Sequence, residues 1–268
     1  MTAVAPAPVA QTPTASGSAP HLTFARVVRG EAIKLFTLRS TWWSIAITAA
    51  LSVGISLLMA TASRDFAAGF PPVMAVVAPM QFTMLLAGIL GAIAVTGEYS
   101  TGMIRSTLTA VPRRGVVLAA KALVVGGFLA VASAVIFAVA VMATAPVLAT
   151  QIDWSDPDAS IIPLAYGVLS MTVFALIGLG FGFILRNGAG AIAATVGLLF
   201  VAPIVVSLFA MFGESWQWIL DLGRYLPMNA SQTLTTGGDD MTGALIALLA
   251  WAAAGLLGSW AILRSRDA

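Results

Sequence analysis

ASIIPLAYGVLSMTVFALIGLGFGFIL (residues 159–185) and NGAGAIAATVGLLFVAPIVVSLFAMFG (residues 187–213) are two long apolar runs that only Arg186 separates. Each run exceeds the ~20 residues that a helix needs to cross ~30 Å of hydrocarbon. Backbone groups in lipid must be satisfied within the chain, and neither run alternates polar and apolar residues as a barrel strand does. Both runs are therefore predicted to be transmembrane helices.

Four further stretches without charge repeat this pattern along the chain. They run from Ser40 to Ser63, Phe66 to Gly97, Ala122 to Ile152 and Met241 to Leu263. Charged residues make up 9% of the sequence and hydrophobic residues 59%, whereas a soluble domain is about 25% charged. A soluble core could not bury so much apolar surface. The sequence predicts an all-α membrane protein with six transmembrane helices.

The distribution of basic residues predicts the orientation. With the N-terminus inside, eleven lysines and arginines fall on the inner side, and only Arg64 and Arg224 fall outside. An excess of basic residues marks the cytoplasmic side of a membrane protein. Both termini are predicted to be cytoplasmic, and the protein is predicted to be a multi-pass protein of the cytoplasmic (inner) membrane.

Two segments precede the first span. Residues 1–22 are rich in Ala, Pro, Thr and Ser and lack a basic start, so they predict a disordered cytoplasmic tail rather than a secretory signal. Residues 23–40 have helical periodicity, with Val27 and Leu35 on the apolar face, and predict an amphipathic helix at the membrane interface. Glu31 lies within that apolar face. It is expected to find a partner, either Lys34 one turn on or a group on another chain.

The residues of familiar catalytic sites are missing. The sequence has no cysteine, its one histidine is His21 in the predicted tail, and no lysine belongs to a Gly-Lys-Ser/Thr motif. No ionisable side chain lies well inside a predicted span. The chain is therefore predicted not to be an enzyme, to hold no metal or cofactor, to bind no nucleic acid, and to receive any energy from a partner.

Glycines and other small residues recur within the spans. Gly178-x-Gly180-x-Gly182 lies in an apolar run without the strand that a dinucleotide site requires, so it predicts close helix packing or a flexible point. In the third span, Gly126 begins a stripe of small residues at spacing of four, continued by Ala130, Ala134 and Ala138. Such stripes let membrane helices approach each other closely.

The inner loop between spans two and three, residues 96–115, is the most informative segment. It contains GEYSTGMIRSTLTAVPRR at residues 97–114. Tyr99 to Leu108 is predicted to form two to three helical turns, and Pro112 is predicted to end them. Composition leaves two readings open: a solvated loop with stop-transfer arginines, or a docking element for another protein.

The chain resembles the membrane subunits of ABC exporters of the type-2 permease class. The resemblance rests on Glu31-x-x-Lys34, on Glu98-Tyr99-x-x-Gly102-x-Ile104-Arg105 followed by Pro112-Arg113-Arg114 and Lys121, and on a helical outer segment at residues 213–240. It covers nearly everything after the tail, including the six-span layout.

This resemblance implies a permease that forms the translocation path. A coupling helix between spans two and three docks on a separate P-loop ATPase, which binds ATP and Mg²⁺. A second permease copy or a relative, together with membrane lipid, completes the list of partners. The implied coupling residues are Glu98, Tyr99, Thr101, Gly102, Ile104, Arg105, Leu108, Pro112, Arg113 and Arg114, and those of the elbow helix are Arg29, Glu31, Lys34 and Arg39.

Other functions remain open at this stage. A non-transport membrane scaffold or assembly factor would also lack ionisable groups in its spans. Half of a secondary transporter would usually carry intramembrane carboxylates or an internal repeat, to which Pro79 and Pro203 give only a hint. A membrane enzyme is the least favoured, because reactive residues are missing. An uncharged interior favours lipophilic or amphipathic cargo.

Overall fold

A computed structural model describes residues 23–64 and 71–265. Within these ranges the chain is helical and has no strand. Six helices are long and apolar enough to cross a membrane, which confirms the predicted all-α class and the six spans and defines a multi-pass membrane protein. The predicted tail, residues 1–22, lies outside the described residues.

The helices follow one another in this order along the chain. Helix α1, Phe24–Thr37, precedes span 1, which is α2 at Arg39–Ala62. Span 2 consists of α3 at Pro72–Val77 and α4 at Met80–Ser100, and the short α5 at Met103–Ala110 leads to span 3, which is α6 at Arg114–Thr144. Span 4 is α7 at Ile161–Leu185.

Span 5 contains α8 at Gly188–Val196, a π turn at Gly197–Val201, α9 at Ala202–Leu208 and a 3₁₀ turn at Phe209–Phe212. The segment that follows contains a 3₁₀ turn at Glu214–Trp216, α10 at Gln217–Gly223 and α11 at Pro227–Thr236. Span 6 is α12 at Met241–Ser265. We call the end of the bundle where α5 lies the α5 end, and the opposite end the α11 end.

Two prolines interrupt spans, because proline has no N–H and clashes with the preceding turn. Pro79 separates α3 from α4 in span 2. In span 5 the π turn ends two residues before Pro203. A π turn is one of the recognised ways in which a helix accommodates such an interruption.

Span 4 lies at the centre of the bundle and packs closely through its glycines. A Cβ at Gly178 would overlap the carbonyl oxygen of Gly88 on span 2, and a Cβ at Gly182 would lie 2.9 Å from the Cβ of Val95. Gly180 faces span 6, where a Cβ would lie 2.8 Å from the Cα of Gly255. The packing interpretation of these glycines is confirmed, and it explains how three helices fit around one core.

The stripe of small residues on span 3 differs from the prediction along part of its length. Gly126 packs near Leu176 of span 4, but Ala134 and Ala138 are exposed in this chain. The buried face there carries larger side chains, among them Leu129 and Phe137. Within the chain, helix contact at this face therefore depends on side-chain interdigitation more than on close backbone approach.

Candidate functional site

Four charged side chains form a closed ring at the α5 end of the bundle. Lys34 Nζ donates to Glu31 Oε1 at 2.7 Å and to Glu98 Oε1 at 3.0 Å. Lys121 Nζ donates to Glu31 Oε2 at 2.5 Å and to Glu98 Oε1 at 2.7 Å. Each carboxylate thus accepts from both ammonium groups, and we call Glu31, Lys34, Glu98 and Lys121 the charge ring.

The elements that carry the charge ring are far apart in sequence. Glu31 and Lys34 lie on α1, Glu98 lies in the last turn of span 2, and Lys121 lies in the second turn of span 3. Lys121 lies between the buried residues Leu118 and Val125 on the inward face of its helix. Residues three and four apart share a helix face, so this pattern places the ammonium inside the protein.

Glu31 is placed in the same way. Val27 and Leu35, four residues before and after it, are both buried, so the carboxylate faces inward with them. Here the interruption of an apolar face by one carboxylate marks a buried ion pair. The expectation that Glu31 finds a partner is confirmed, and its partners are Lys34 together with Lys121.

The ring is buried and electrically balanced. Glu31 is 5% exposed, Glu98 4% and Lys121 3%, whereas the side chain of Lys34 is 28% exposed. A lone buried charge is strongly unfavourable, and it is tolerated only where partners compensate it. Two carboxylates and two ammonium groups in alternation provide that compensation.

The two ring residues on α1 also show the electrostatic balance in their pKa values. Burial by itself would raise the pKa of Glu31, but Lys121 and then Lys34 outweigh it and hold the pKa below its ordinary value. Burial would lower the pKa of Lys34, but Glu31 and Glu98 together raise it above its ordinary value. Both groups are therefore charged at neutral pH.

Thr107 connects α5 to the charge ring. Lys34 Nζ donates to Thr107 Oγ1 at 3.0 Å. The single proton of this hydroxyl goes to the carbonyl oxygen of Met103, at 3.2 Å, in preference to Glu98 Oε2, which lies at 3.5 Å. Gly102, with φ of 73°, lies between α4 and α5 and provides the left-handed turn that reverses the chain. The short helix is thereby bonded to Lys34 on α1, and through Lys34 to the charge ring.

Helix α5 has one anchored face and one exposed face. Ile104 is 2% exposed, and Leu108 packs beside Val27 and Val117. Met103, Arg105, Ser106, Thr109 and Ala110 are exposed. The helix begins at Met103 rather than at the predicted Tyr99, because Tyr99 and Ser100 still belong to span 2 and Gly102 ends that helix.

The remaining predicted site residues lie around this helix. Thr101, Gly102, Pro112 and Arg113 are exposed, as are Arg29 and Arg39. Tyr99 is half-buried beneath the Arg186 guanidinium, which lies 5.5 Å from the centre of its ring. Arg114 donates to the carbonyl oxygen of Leu263 at 2.6 Å and so ties the start of span 3 to span 6.

The sequence alone did not identify the partners of Glu98. Its carboxylate, predicted to contact an ATPase, lies inside the chain between Lys34 and Lys121. The available signal was the balance of charge: two acids and two bases interrupt otherwise apolar helical faces near the same end of the predicted bundle. Pairing them required the distances between α1, span 2 and span 3.

The arrangement is suited to holding helices together rather than to acid–base chemistry, since each ring carboxylate is already engaged by both ammonium groups. Within residues 23–64 and 71–265, no cluster of three or more His, Asp or Glu could hold a metal ion. Comparison of the sequence with protein-family models and with curated proteins found no match.

Proposed function

We propose that the chain is the permease subunit of an ATP-driven ABC exporter in the cytoplasmic membrane, with α5 as its coupling helix. The observation that carries the proposal is the bonding of α5, through Thr107, to a buried charge ring that joins α1, span 2 and span 3. A short helix that only ended a solvated loop would not need this connection.

The ring provides a route for force from α5 into the membrane helices. Movement of α5 acts on Lys34 through Thr107, and Lys34 is bonded to Glu98 in the same ring as Lys121. Bonds between charged groups are stronger than neutral hydrogen bonds, and burial strengthens them further. In this proposal α1, span 2 and span 3 move together when the ATPase moves α5.

The exposed face of α5 is the proposed docking surface. It presents the apolar side chain of Met103 and the guanidinium of Arg105, which is suited to pair with a carboxylate on the partner. The partner is a P-loop ATPase that binds ATP and Mg²⁺ and supplies the energy. Glu98 takes a different role from the one first expected, because it connects elements within the chain.

The other proposed partners contact exposed surfaces. Arg29 and Arg39 on α1 and at the start of span 1 are exposed and suited to lipid phosphates. Spans 1, 5 and 6 have a smaller share of buried residues than spans 2, 3 and 4. A second permease copy or a relative is proposed to complete the translocation path, with lipid covering the remainder.

Purification of the tagged chain in mild detergent, followed by identification of stoichiometric partners, tests this proposal. We expect a P-loop ATPase to co-purify, and Arg105→Glu to reduce its recovery at least about tenfold, since it reverses a charge at the interface. Arg224→Glu is the matched control, because Arg224 is exposed on the linker between α10 and α11 at the opposite end.

Recovery of the folded chain without any ATPase, under several gentle conditions, would overturn the exporter proposal and favour a membrane scaffold. Equal recovery of the ATPase with the Arg105 and Arg224 variants would refute the assignment of the docking surface to α5.

A further inference from the structure

A cavity lined by methionines lies toward the α11 end of the bundle. It has a volume of about 180 Å³ and lies between the end of span 1, span 2, span 4 and α11. We call it the methionine cavity, because five of the eleven methionines of the chain line it: Met59, Met74, Met80, Met84 and Met228. Phe174 of span 4 contributes an aromatic wall.

Methionine gives this cavity an adaptable apolar lining. Its side chain is unbranched and polarizable, and it is favoured at surfaces that accept ligands of varied shape. Met84 and Phe174 are each 1% exposed, so the inner wall is deeply buried. An apolar engineered cavity of about 150 Å³ accommodates a benzene ring. The methionine cavity can therefore hold a ring or a segment of chain.

Three polar side chains at the cavity have unused hydrogen-bonding capacity. Ser231 on α11 is 1% exposed, and its hydroxyl has no hydrogen-bond partner among the described residues. Gln81 and Gln232 line the cavity and are exposed, so they flank its mouth. Buried hydroxyl groups without partners are uncommon in folded proteins. Three other serine hydroxyls among the described residues are also buried without a partner: those of Ser52, Ser56 and Ser170. Of the four, the hydroxyl of Ser231 lines the cavity, so it is the one available to an occupant.

The electrostatics of the cavity define the class of occupant. None of the described residues that line it carries a charge. Placing an ion in such an environment without a counter-charge is strongly unfavourable. This lining favours an occupant that is neutral, mostly apolar, and equipped with a group that donates or accepts hydrogen bonds.

We propose that the methionine cavity binds an uncharged amphiphile, such as a neutral lipid of the monoacylglycerol class. Its apolar segment contacts the methionines and Phe174. Its hydroxyl or carbonyl groups bond to Ser231 and to the amides of Gln81 and Gln232. The site lies within a single chain, at the end of the bundle opposite to the charge ring.

This inference deepens the proposed function. It rests on that function only where it treats the bound amphiphile as cargo of the exporter. Binding itself requires no ATPase and is measured on the purified chain. A chain that binds the amphiphile but never recovers an ATPase would contradict the exporter proposal alone. The reverse result would contradict only the cavity proposal.

Photo-crosslinking provides the test. The full chain is placed in phosphatidylcholine nanodiscs and labelled with a long-chain monoacylglycerol that carries a diazirine in its acyl chain, and labelled peptides are identified by mass spectrometry. We expect saturable labelling of peptides from α11 and α4, reduced by unlabelled monoacylglycerol. The corresponding fatty acid, ionised at about pH 8, should label at least about tenfold more weakly.

Four variants sharpen the result. Ser231→Ala and Gln232→Leu each remove a hydrogen-bonding group and should raise the half-saturating concentration roughly three- to tenfold. Met228→Trp fills the cavity and should abolish saturable labelling, while Met142→Trp, on an exposed part of span 3, should leave it unchanged. If gel filtration shows that Met228→Trp is misfolded, Ser231→Ala and Gln232→Leu decide whether the cavity binds the amphiphile.

Labelling that does not saturate would overturn the proposal. So would labelling confined to peptides outside the cavity, equal labelling by the fatty acid, or unchanged half-saturation in both the Ser231 and Gln232 variants.

Discussion

Replacing Lys121 with methionine removes one charge from the ring while keeping a flexible apolar side chain of similar length. Lys121 is 3% exposed and bonds to Glu31 at 2.5 Å and Glu98 at 2.7 Å. In Lys121→Met, Lys34 alone faces two carboxylates, and the ring has a net charge of −1 instead of zero. One buried carboxylate is left without full compensation.

Removing one partner of a buried ion pair destabilises proteins by about 3–5 kcal/mol. Melting temperatures of chains of 150–250 residues fall by about 2–4 °C for each kcal/mol, so we expect Lys121→Met to lower the melting temperature by roughly 6–20 °C. The temperature is measured by fluorescence-monitored thermal unfolding in one detergent. Arg39→Met, which removes an exposed positive charge, should change it by no more than about 2 °C.

The electrostatic origin of the loss can be separated from a packing defect by two further measurements. Glu31→Gln added to Lys121→Met restores neutrality and should recover at least about half of the lost stability, as a double-mutant cycle would detect. The deficit of Lys121→Met should also shrink on going from about pH 8 to about pH 5.5, because a proton can then neutralise the uncompensated carboxylate. A deficit below about 3 °C that is independent of pH and of Glu31 would refute the reasoning.

Two other predictions concern packing and pH. Gly178→Ala places a methyl group against the carbonyl oxygen of Gly88 and should destabilise the chain by about 1–3 kcal/mol or more in thermal unfolding. Gly127→Ala, where a Cβ meets nothing within 4 Å, should be neutral or stabilising, and equal losses in the two variants would contradict the packing account. Between about pH 6 and 9, ionisation of Glu31 and Lys34 should contribute almost no slope to stability, because the pKa of Glu31 is below its ordinary 4.5 and that of Lys34 above its ordinary 10.5. The stabilisation from Glu31 should be lost as pH falls through its lowered pKa, and that from Lys34 should be lost as pH rises through its raised pKa. A change in the stability of the wild-type chain near neutral pH that Glu31→Gln removes would contradict these shifts.

The six spans were predictable because lipid imposes a minimum length and an apolar composition on each helix, and residues 159–185 and 187–213 meet both conditions within their own sequence. The break at Pro79 was predictable for a similar reason, since proline disrupts a helix through its own covalent structure. Both features depend on short-range sequence.

The charge ring was only partly predictable, because it depends on which helices become neighbours. The position of Glu31 within an apolar helix face predicted that it has a buried partner, and Lys34 lies one turn away on the same helix. Lys121 and Glu98 lie on two other helices, and a single sequence does not show how close residues on different helices are to each other. The start of α5 was also predicted incorrectly, although it depends on nearby residues. The left-handed turn at Gly102 places the first residue of α5 at Met103, whereas the sequence predicted Tyr99.

The methionine cavity was not predictable from spacing. Met59, Met84 and Met228 are widely separated in sequence, and each is an ordinary apolar residue in its own segment. The orphaned hydroxyl of Ser231 becomes informative only when α11 is placed against span 4 and span 2.

The most direct test of the central claim, that α5 docks on an ATPase, is site-specific crosslinking from Ser106, which is exposed beside Arg105. The sequence contains no cysteine, so Ser106→Cys gives the chain a single thiol for a benzophenone maleimide and leaves Arg105 in place, with Arg224→Cys as the control at the opposite end. Irradiation of native membranes should join the Ser106 position, and not the Arg224 position, to a P-loop ATPase. Efficient labelling with no ATPase adduct from Ser106, or the same adducts from both positions, would contradict the claim.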